Sequence, residues 1–233
     1  TFDTTTIAPL CFEDCNGEIE FSNINGGNGN YNISIDNGNT FQSGLTFNNI
    51  CADDYNVVVE DINGCQSFMV VSVSEPTTLV LNMTIDSASC NGVDDGVVTA
   101  TVNGGTPTYS YNWNGLALNN QFQATDVPAG TYSLIVTDAN GCTIDSLNYE
   151  VGEPLPVNTG VVLTNPTSCF GSQDGSITVT NATNATLYSI DGVNFQPSNT
   201  FTNLNSGNYT ITVQDINGCI NTTTATVNAP TQI

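Results

Sequence analysis

The chain contains no lysine, no arginine and no histidine. Charged residues make up 9% of the sequence, far below the usual quarter, and all 22 of them are Asp or Glu, for a formal net charge of −22. Without cations there is nothing to neutralise phosphate, so nucleic acid is excluded as a partner. An anionic membrane surface would repel the chain. Salt bridges reduce to whatever a free amino terminus can make, Lys–Asn isopeptide staples cannot form, and trypsin-like proteases find no site. Without histidine there is no catalytic triad and no Cys–His pair. The cysteines are far apart and never form C-x-x-C, so no zinc cluster is expected. There is no apolar run of about 18 residues, hence no expected span or membrane insertion. No signal-peptide pattern or initiating Met stands at Thr1, which reads as a mature or excised fragment.

What is present points to strands and turns. Hydrophobic residues reach 39%, enough for a core, and 33 Asn with many Thr, Ser and Gly supply a polar, turn-rich surface. Eight cysteines, an even number in regular register, point to an oxidising compartment.

The register is that of an internal repeat. Cys11, Cys90 and Cys169 are 79 residues apart in each step, and Cys65, Cys142 and Cys219 are 77 apart. A glycine follows the first cysteine of each unit by six residues, and each unit closes near a proline, in "SEPTT", "GEPLP" and "NAPTQ". This predicts three domains, residues 1–76, 77–154 and 155–233.

Within a unit the hydrophobic period is two. In "GTYSLIVTD", Tyr132, Leu134 and Val136 share one face, opposite Ser133, Ile135 and Thr137; Tyr55, Val57 and Val59, and Tyr209, Ile211 and Val213, repeat the pattern. "GVVTATV", "TYSYNW", "QFQATDV" and "SLNYEV" are further strand candidates, and no stretch suits an amphipathic helix. The expected fold class is all-β: three tandem immunoglobulin-like β-sandwich repeats forming an extended rod. Gly130-x-Tyr132 and Gly207-x-Tyr209 resemble a tyrosine corner, and Trp113, with Ile35 and Ile190 as counterparts, reads as a core residue. Each domain would be about 30 Å across, so the rod would be about 90–100 Å long.

"VEDINGC", "VTDANGC" and "VQDINGC" each join two strands by a turn in which Asp bonds nearby backbone and Asn-Gly supplies positive φ. The cysteine begins the last strand. Register within a unit then suggests Cys11–Cys65, Cys90–Cys142 and Cys169–Cys219, with Cys15 and Cys51 paired as an addition in the first unit. The four cysteines there leave three connectivities open. A unit of this size buries only some 60% of its surface, and closing a loop of about 50 residues adds roughly 4 kcal/mol.

Chemistry is sparse. Two carboxylates alone can run glycoside hydrolysis, but Asp61, Asp138 and Asp215 sit where turn bonding explains them, so no catalytic residue, cofactor or enzyme activity is expected. Asp95-Gly96 and Asp174-Gly175, with Asn16-Gly17, read as turns; calcium binding there is the weaker alternative, since no full D-x-D-x-D-G loop exists. Acidic residues number 11, 8 and 3 in the three units, so the fold repeats while the surface varies.

The unit resembles the SprB-type repeat of large surface adhesins that drive gliding motility in bacteria with type IX secretion. "GGTPTYSYNW" (104–113), "PAGTYSLIVTDANGC" (128–142) and "GEP" (152–154) carry the resemblance; the first unit departs at Asp53, and the third lacks the Gly-Gly and the Trp. It implies an exported filament at the bacterial cell surface, built of further repeats of the same polypeptide. Its expected contacts are a substratum or cell-surface glycans, with lateral self-association. It also implies O-glycosylation at Thr4, Ser87 and Ser146, in Asp-Ser/Thr contexts. A set of glycan-binding modules, or a spacer in a large secreted enzyme, are the alternative readings.

Overall fold

The computed structural model describes residues 1–117 and 120–232. Among these residues there are eighteen strands and no helix, six strands in each repeat. The first repeat holds β1 (Asp3–Ile7), β2 (Gly17–Ser22), β3 (Asn32–Ser34), β4 (Thr46–Ile50), β5 (Asp53–Glu60) and β6 (Gln66–Val73). They form two antiparallel sheets, β1-β2-β4 and β3-β5-β6. The middle repeat has β7 (Val80–Asp86), β8 (Gly96–Asn103), β9 (Ser110–Asn114), β10 (Gln123–Val127), β11 (Gly130–Thr137) and β12 (Thr143–Val151), in sheets β10-β8-β7 and β12-β11-β9. The third has β13 (Val161–Asn165), β14 (Gly175–Thr180), β15 (Leu187–Ser189), β16 (Thr200–Leu204), β17 (Gly207–Gln214) and β18 (Ile220–Val227), in sheets β13-β14-β16 and β15-β17-β18. These orders are the A-B-E and C-F-G sheets of an immunoglobulin-like sandwich. The fold is all-β, as the alternation demanded.

The chain divides into two compact units. The first contains the whole first repeat with β9 and most of β11 and β12. Its sandwich closes where Ile19, Phe21 and Ile50 from one sheet meet Ile33, Val57, Val59, Val71 and Val73 from the other. Phe21 is fully buried between Phe2 and Phe47, with centroids 6.0 and 5.8 Å away. Truncating it to Ala would cost about 3–5 kcal/mol. In the same unit Trp113 is buried, donates its indole N–H to Gln121 O (2.6 Å) and meets Tyr149 edge-on. Its counterparts Ile35 and Ile190 pack on their own cores, as the core reading of this position expected.

The second unit contains the whole third repeat with β10 and parts of β7 and β8. Its core joins Ile177, Val179, Phe201 and Leu204 to Ile211, Val213, Ala225 and Val227.

Recurrent local devices set the register. The Tyr55 hydroxyl donates to Cys51 O (3.0 Å) and that of Tyr209 to Asn205 O (2.9 Å), each four residues back, which is the tyrosine corner. Asn49, Asp126 and Asn203, 77 residues apart, take positive φ at the strand bulges preceding these corners. The glycine six residues after each first cysteine sits where backbone crowds it. A Cβ at Gly17 would lie 2.8 Å from Ile7 O and 2.9 Å from Ile50 O.

One traverse of the sandwich carries no strand. After β3 the chain turns back, and only Ile33 and Gln42 exchange N–H···O bonds there (2.7 and 2.9 Å), before β4 begins. The segment lies beside β3 on the C-F-G sheet, where a C′ strand would stand, and it decides which loops share an end of the sandwich.

Candidate functional site: cysteine clasps between repeats

The structure joins Cys15 to Cys51, as register suggested. It corrects the other three pairings. Cys11 is bonded to Cys142 and Cys90 to Cys219, while Cys65 and Cys169 are free and exposed. The reason is geometric. Cys11 and Cys15 lie on the loop between β1 and β2, and the Cys15–Cys51 bond fixes that loop to the end of β4. Cys65 lies beyond the far end of β5, whose eight residues span about 27 Å. A disulfide tolerates a Cα separation of only about 7 Å. The early and late cysteines of one repeat therefore sit at opposite ends of its sandwich, and the early cysteine reaches the late cysteine of the next repeat.

Each compact unit holds one such clasp, built from the same parts. The donating part is the loop after the first strand. Its tight turn closes by Asp14 N–H to Cys11 O in the first repeat and Val93 N–H to Cys90 O in the middle one, both 3.2 Å. Leu10 N–H donates to Asn16 Oδ1 (2.8 Å), and Ser89 N–H to Asp95 Oδ1 (2.8 Å). The repeat's closing glutamate finishes the loop: Glu75 accepts from Glu13 N–H and Glu153 from Gly92 N–H, both at 2.6 Å. Asp95 and Asp174, the calcium alternatives, are engaged by the loop itself. The Ser89 hydroxyl and N–H hold Asp95 below the usual carboxylate range, and the Ser168 hydroxyl and N–H do the same for Asp174. Among the described residues, no group of three or more Cys, Asp or Glu is placed to hold a metal ion.

The receiving part is the turn "DANGC". Asp138 is buried, its N–H donates to Cys142 O (2.9 Å), and its Oδ1 accepts from the N–H groups of Asn140 and Cys142, both 2.9 Å. Its Oδ2 accepts from Thr106 N–H (2.8 Å). Burial alone would raise this carboxyl; the N–H donors outweigh it and hold it below its ordinary value. Asp215 repeats the turn in the third repeat, accepting from Asn217 and Cys219 N–H at 2.8 Å.

Sequence reasoning missed what brings Thr106 to Asp138. Gly105 has φ +62°, and a Cβ there would stand 2.7 Å from Asp138 Oδ2; Gly27, 78 residues earlier, has φ +68° and the same relation to Asp61. The Gly-Gly pair lets backbone approach a buried carboxylate. The recurrence of Gly-Gly upstream of the invariantly spaced Asp was the available signal.

At the first clasp the Cys11 and Cys142 Cα atoms are 5.7 Å apart, and Asn140 Nδ2 donates to Leu10 O (2.9 Å), adding a polar contact between repeats. Phe12, Pro76, Leu79 and Ile144 line the surrounding groove. At the second, the Cα atoms of Cys90 and Cys219 are 5.6 Å apart, with Val93, Leu155, Val157 and Ile220 around them. Of the O-glycosylation candidates, Ser87 is exposed just after β7, whereas Thr4 on β1 and Ser146 on β12 are partly exposed.

Residues 82–118 match the family model of the SprB repeat. The middle repeat is of SprB type. No curated protein matches the chain. Solved structures that align along it include two of low sequence identity. Chicken CNTN1 domains FN1–FN3 are 12% identical with TM-score 0.26, covering 98% of this chain and 97% of that one. The Bacteroides ovatus mixed-linkage glucan utilization locus protein SGBP-B, solved with a heptasaccharide, is 17% identical with TM-score 0.18, covering 98% and 70%.

Proposed function

We propose that this chain is a load-bearing segment of a long exported adhesin at the bacterial cell surface, working in attachment and gliding. It is not an enzyme; its partners are a substratum or surface glycans, met by faces that vary between repeats while the clasps stay constant. SprB repeats belong to cell-surface proteins, and disulfides persist in oxidising compartments. The observation that carries the reading is the pair of overlapping disulfides, Cys11–Cys142 and Cys90–Cys219.

The disulfides route tension through sulfur. A chain pulled from its ends and fully unfolded draws taut along its shortest covalent route, residues 1–15, across to 51, on to 90, across to 219 and out at 233, while Cys11–Cys142 holds the longer branch between 90 and 142 in parallel. That taut path holds about 70 residues and cannot exceed roughly 250 Å; the reduced chain reaches roughly 800 Å. Single-molecule pulling with and without reductant measures both lengths, and equal lengths would refute the load-bearing role. Antibody against the chain should label intact cells and block their attachment. Labelling only after permeabilisation would refute the surface assignment.

A further inference from the structure

The two free cysteines are the unfilled halves of the same clasp. Cys169 occupies the position of Cys11 and Cys90, and its loop already has the bonded shape. Ser172 N–H donates to Cys169 O (3.2 Å), matching the turn after Cys11 and Cys90, and Ser168 N–H donates to Asp174 Oδ1 (2.9 Å), matching Leu10–Asn16 and Ser89–Asp95. Phe170 beside it is 61% exposed; its counterpart Phe12, 45% exposed, lines the groove of a closed clasp.

Cys65 occupies the position of Cys142 and Cys219. Its turn has the same bonds: Asp61 N–H to Cys65 O (3.0 Å), and Cys65 and Asn63 N–H to Asp61 Oδ1, both 2.9 Å. The groove beside it is lined by Phe2, Gly27, Cys65 and Gln66. Their counterparts Leu79, Gly105, Cys142 and Thr143 line the groove that Cys11 and Phe12 enter in the closed clasp. The difference lies in accessibility. Cys219 is buried and Cys11, Cys90 and Cys142 are half-buried, whereas both free cysteines are exposed.

We infer that Cys65 and Cys169 are docking sites for further repeats of this kind: Cys65 receives the early cysteine of a preceding repeat, and Cys169 inserts at the late cysteine of a following one. The bond forms by thiol–disulfide exchange with a disulfide-bearing oxidant. Two protein thiols become one protein disulfide, and the oxidant's disulfide takes up both electrons and both protons as two thiols. The inference rests on the two closed clasps and is independent of where the protein works.

Because the first compact unit presents a free late cysteine and the second a free early one, copies of the chain are complementary to one another, a heterologous contact that propagates. Purified chain in oxidised and reduced glutathione should form a ladder of covalent oligomers in steps of 24.5 kDa. Peptide mapping should find Cys65 joined to Cys169. C65S alone and C169S alone should each stay monomeric, and an equimolar mixture should give a covalent dimer and nothing longer. Cys65–Cys65 or Cys169–Cys169 bonds in comparable yield, dimers in either single variant, or no oligomer at all would overturn the proposal. Both replaced thiols are exposed, so the variants are not expected to lose the fold.

Discussion

The first and third repeats share a fold and differ in almost everything added to it. Both close a sandwich around the same alternating positions, Val57 and Val59 in one, Ile211 and Val213 in the other. The first carries its own disulfide and 11 acidic residues; the third has three acidic residues and no disulfide within it. In the first, Asp61 reaches a third donor, the N–H of Asn28 (3.0 Å), through Gly27. In the third, "NATNAT" replaces the Gly-Gly segment: Asn158 and Thr183 exchange N–H···O bonds (3.0 and 3.3 Å), and Asn184 Nδ2 donates to Pro156 O (2.9 Å). One repeat ties this corner with a carboxylate, the other with amides. The core and the hairpin turn therefore define the unit, and its fastenings are interchangeable.

The largest expected asymmetry comes from Cys15–Cys51. Closing a 36-residue separation is worth about 4 kcal/mol in the chain-entropy model. C15S/C51S should raise amide exchange in β2 to β5 by several hundredfold and leave β14 to β17 unchanged. Equal effects in both repeats would mean that the staple acts on the whole chain. The buried aspartates come next. D61A removes three backbone partners and D215A two, so exchange at the turn should rise roughly tenfold more in D61A, one hydrogen bond's worth. D215A as damaging as D61A would show that the Gly27 approach contributes nothing.

The tyrosines should behave alike in both repeats, which tests the shared part of the comparison. Y55F and Y209F each lose one corner hydrogen bond, about 1 kcal/mol. Tyr149 is the control. Its hydroxyl is buried without a hydrogen-bond partner among the described residues, and burial pushes its pKa up to about 12. Y149F should be neutral or slightly stabilising. Thermal midpoints of the three variants decide the point.

Much of this was legible in the sequence. Alternation marked β5, β11 and β17 with the correct inward face; Ile135, on the outer side, is 42% exposed while Leu134 and Val136 are fully buried. Spacing identified the tyrosine corner and the hairpin turns. The first strands of the first and third repeats were missed, because "DTTTI" and "VVLTN" show little apolar alternation and stay mostly exposed. The clasp pairing was misread for a subtler reason. Register shows which cysteines are equivalent but not at which end of a sandwich they lie. That depends on counting traverses, and the one marked only by the Ile33–Gln42 bridge carries no strand signature. Adding it moves Cys65 to the opposite end from Cys11.

The smallest effect is acid sensitivity, and here the repeats should diverge before they converge. Asp36 and Asp191 occupy equivalent turns. The Ser34 hydroxyl, then the Thr40 hydroxyl and N–H, hold the Asp36 carboxyl at about 2; the Asn194 amide, then backbone N–H groups, hold Asp191 well below its ordinary value. A carboxyl whose folded pKa is depressed stabilises fully above the unfolded value, about 3.9, and that contribution fades as pH falls through the folded one. Both repeats should therefore loosen between about pH 4 and pH 2. Between pH 7 and about 4.5 another effect acts alone: with no cation among the side chains, protonating exposed carboxylates only relieves repulsion. Eleven acids against three make that relief larger in the first repeat. Exchange measured by repeat across this range should show the first tightening while the third holds still, and then both loosening. Added salt at pH 7 should reproduce the first change and not the second, since screening weakens repulsion between exposed charges but leaves the Ser34–Asp36 bond in place. A third repeat that tightened as much as the first would mean that local charge density is not what separates them.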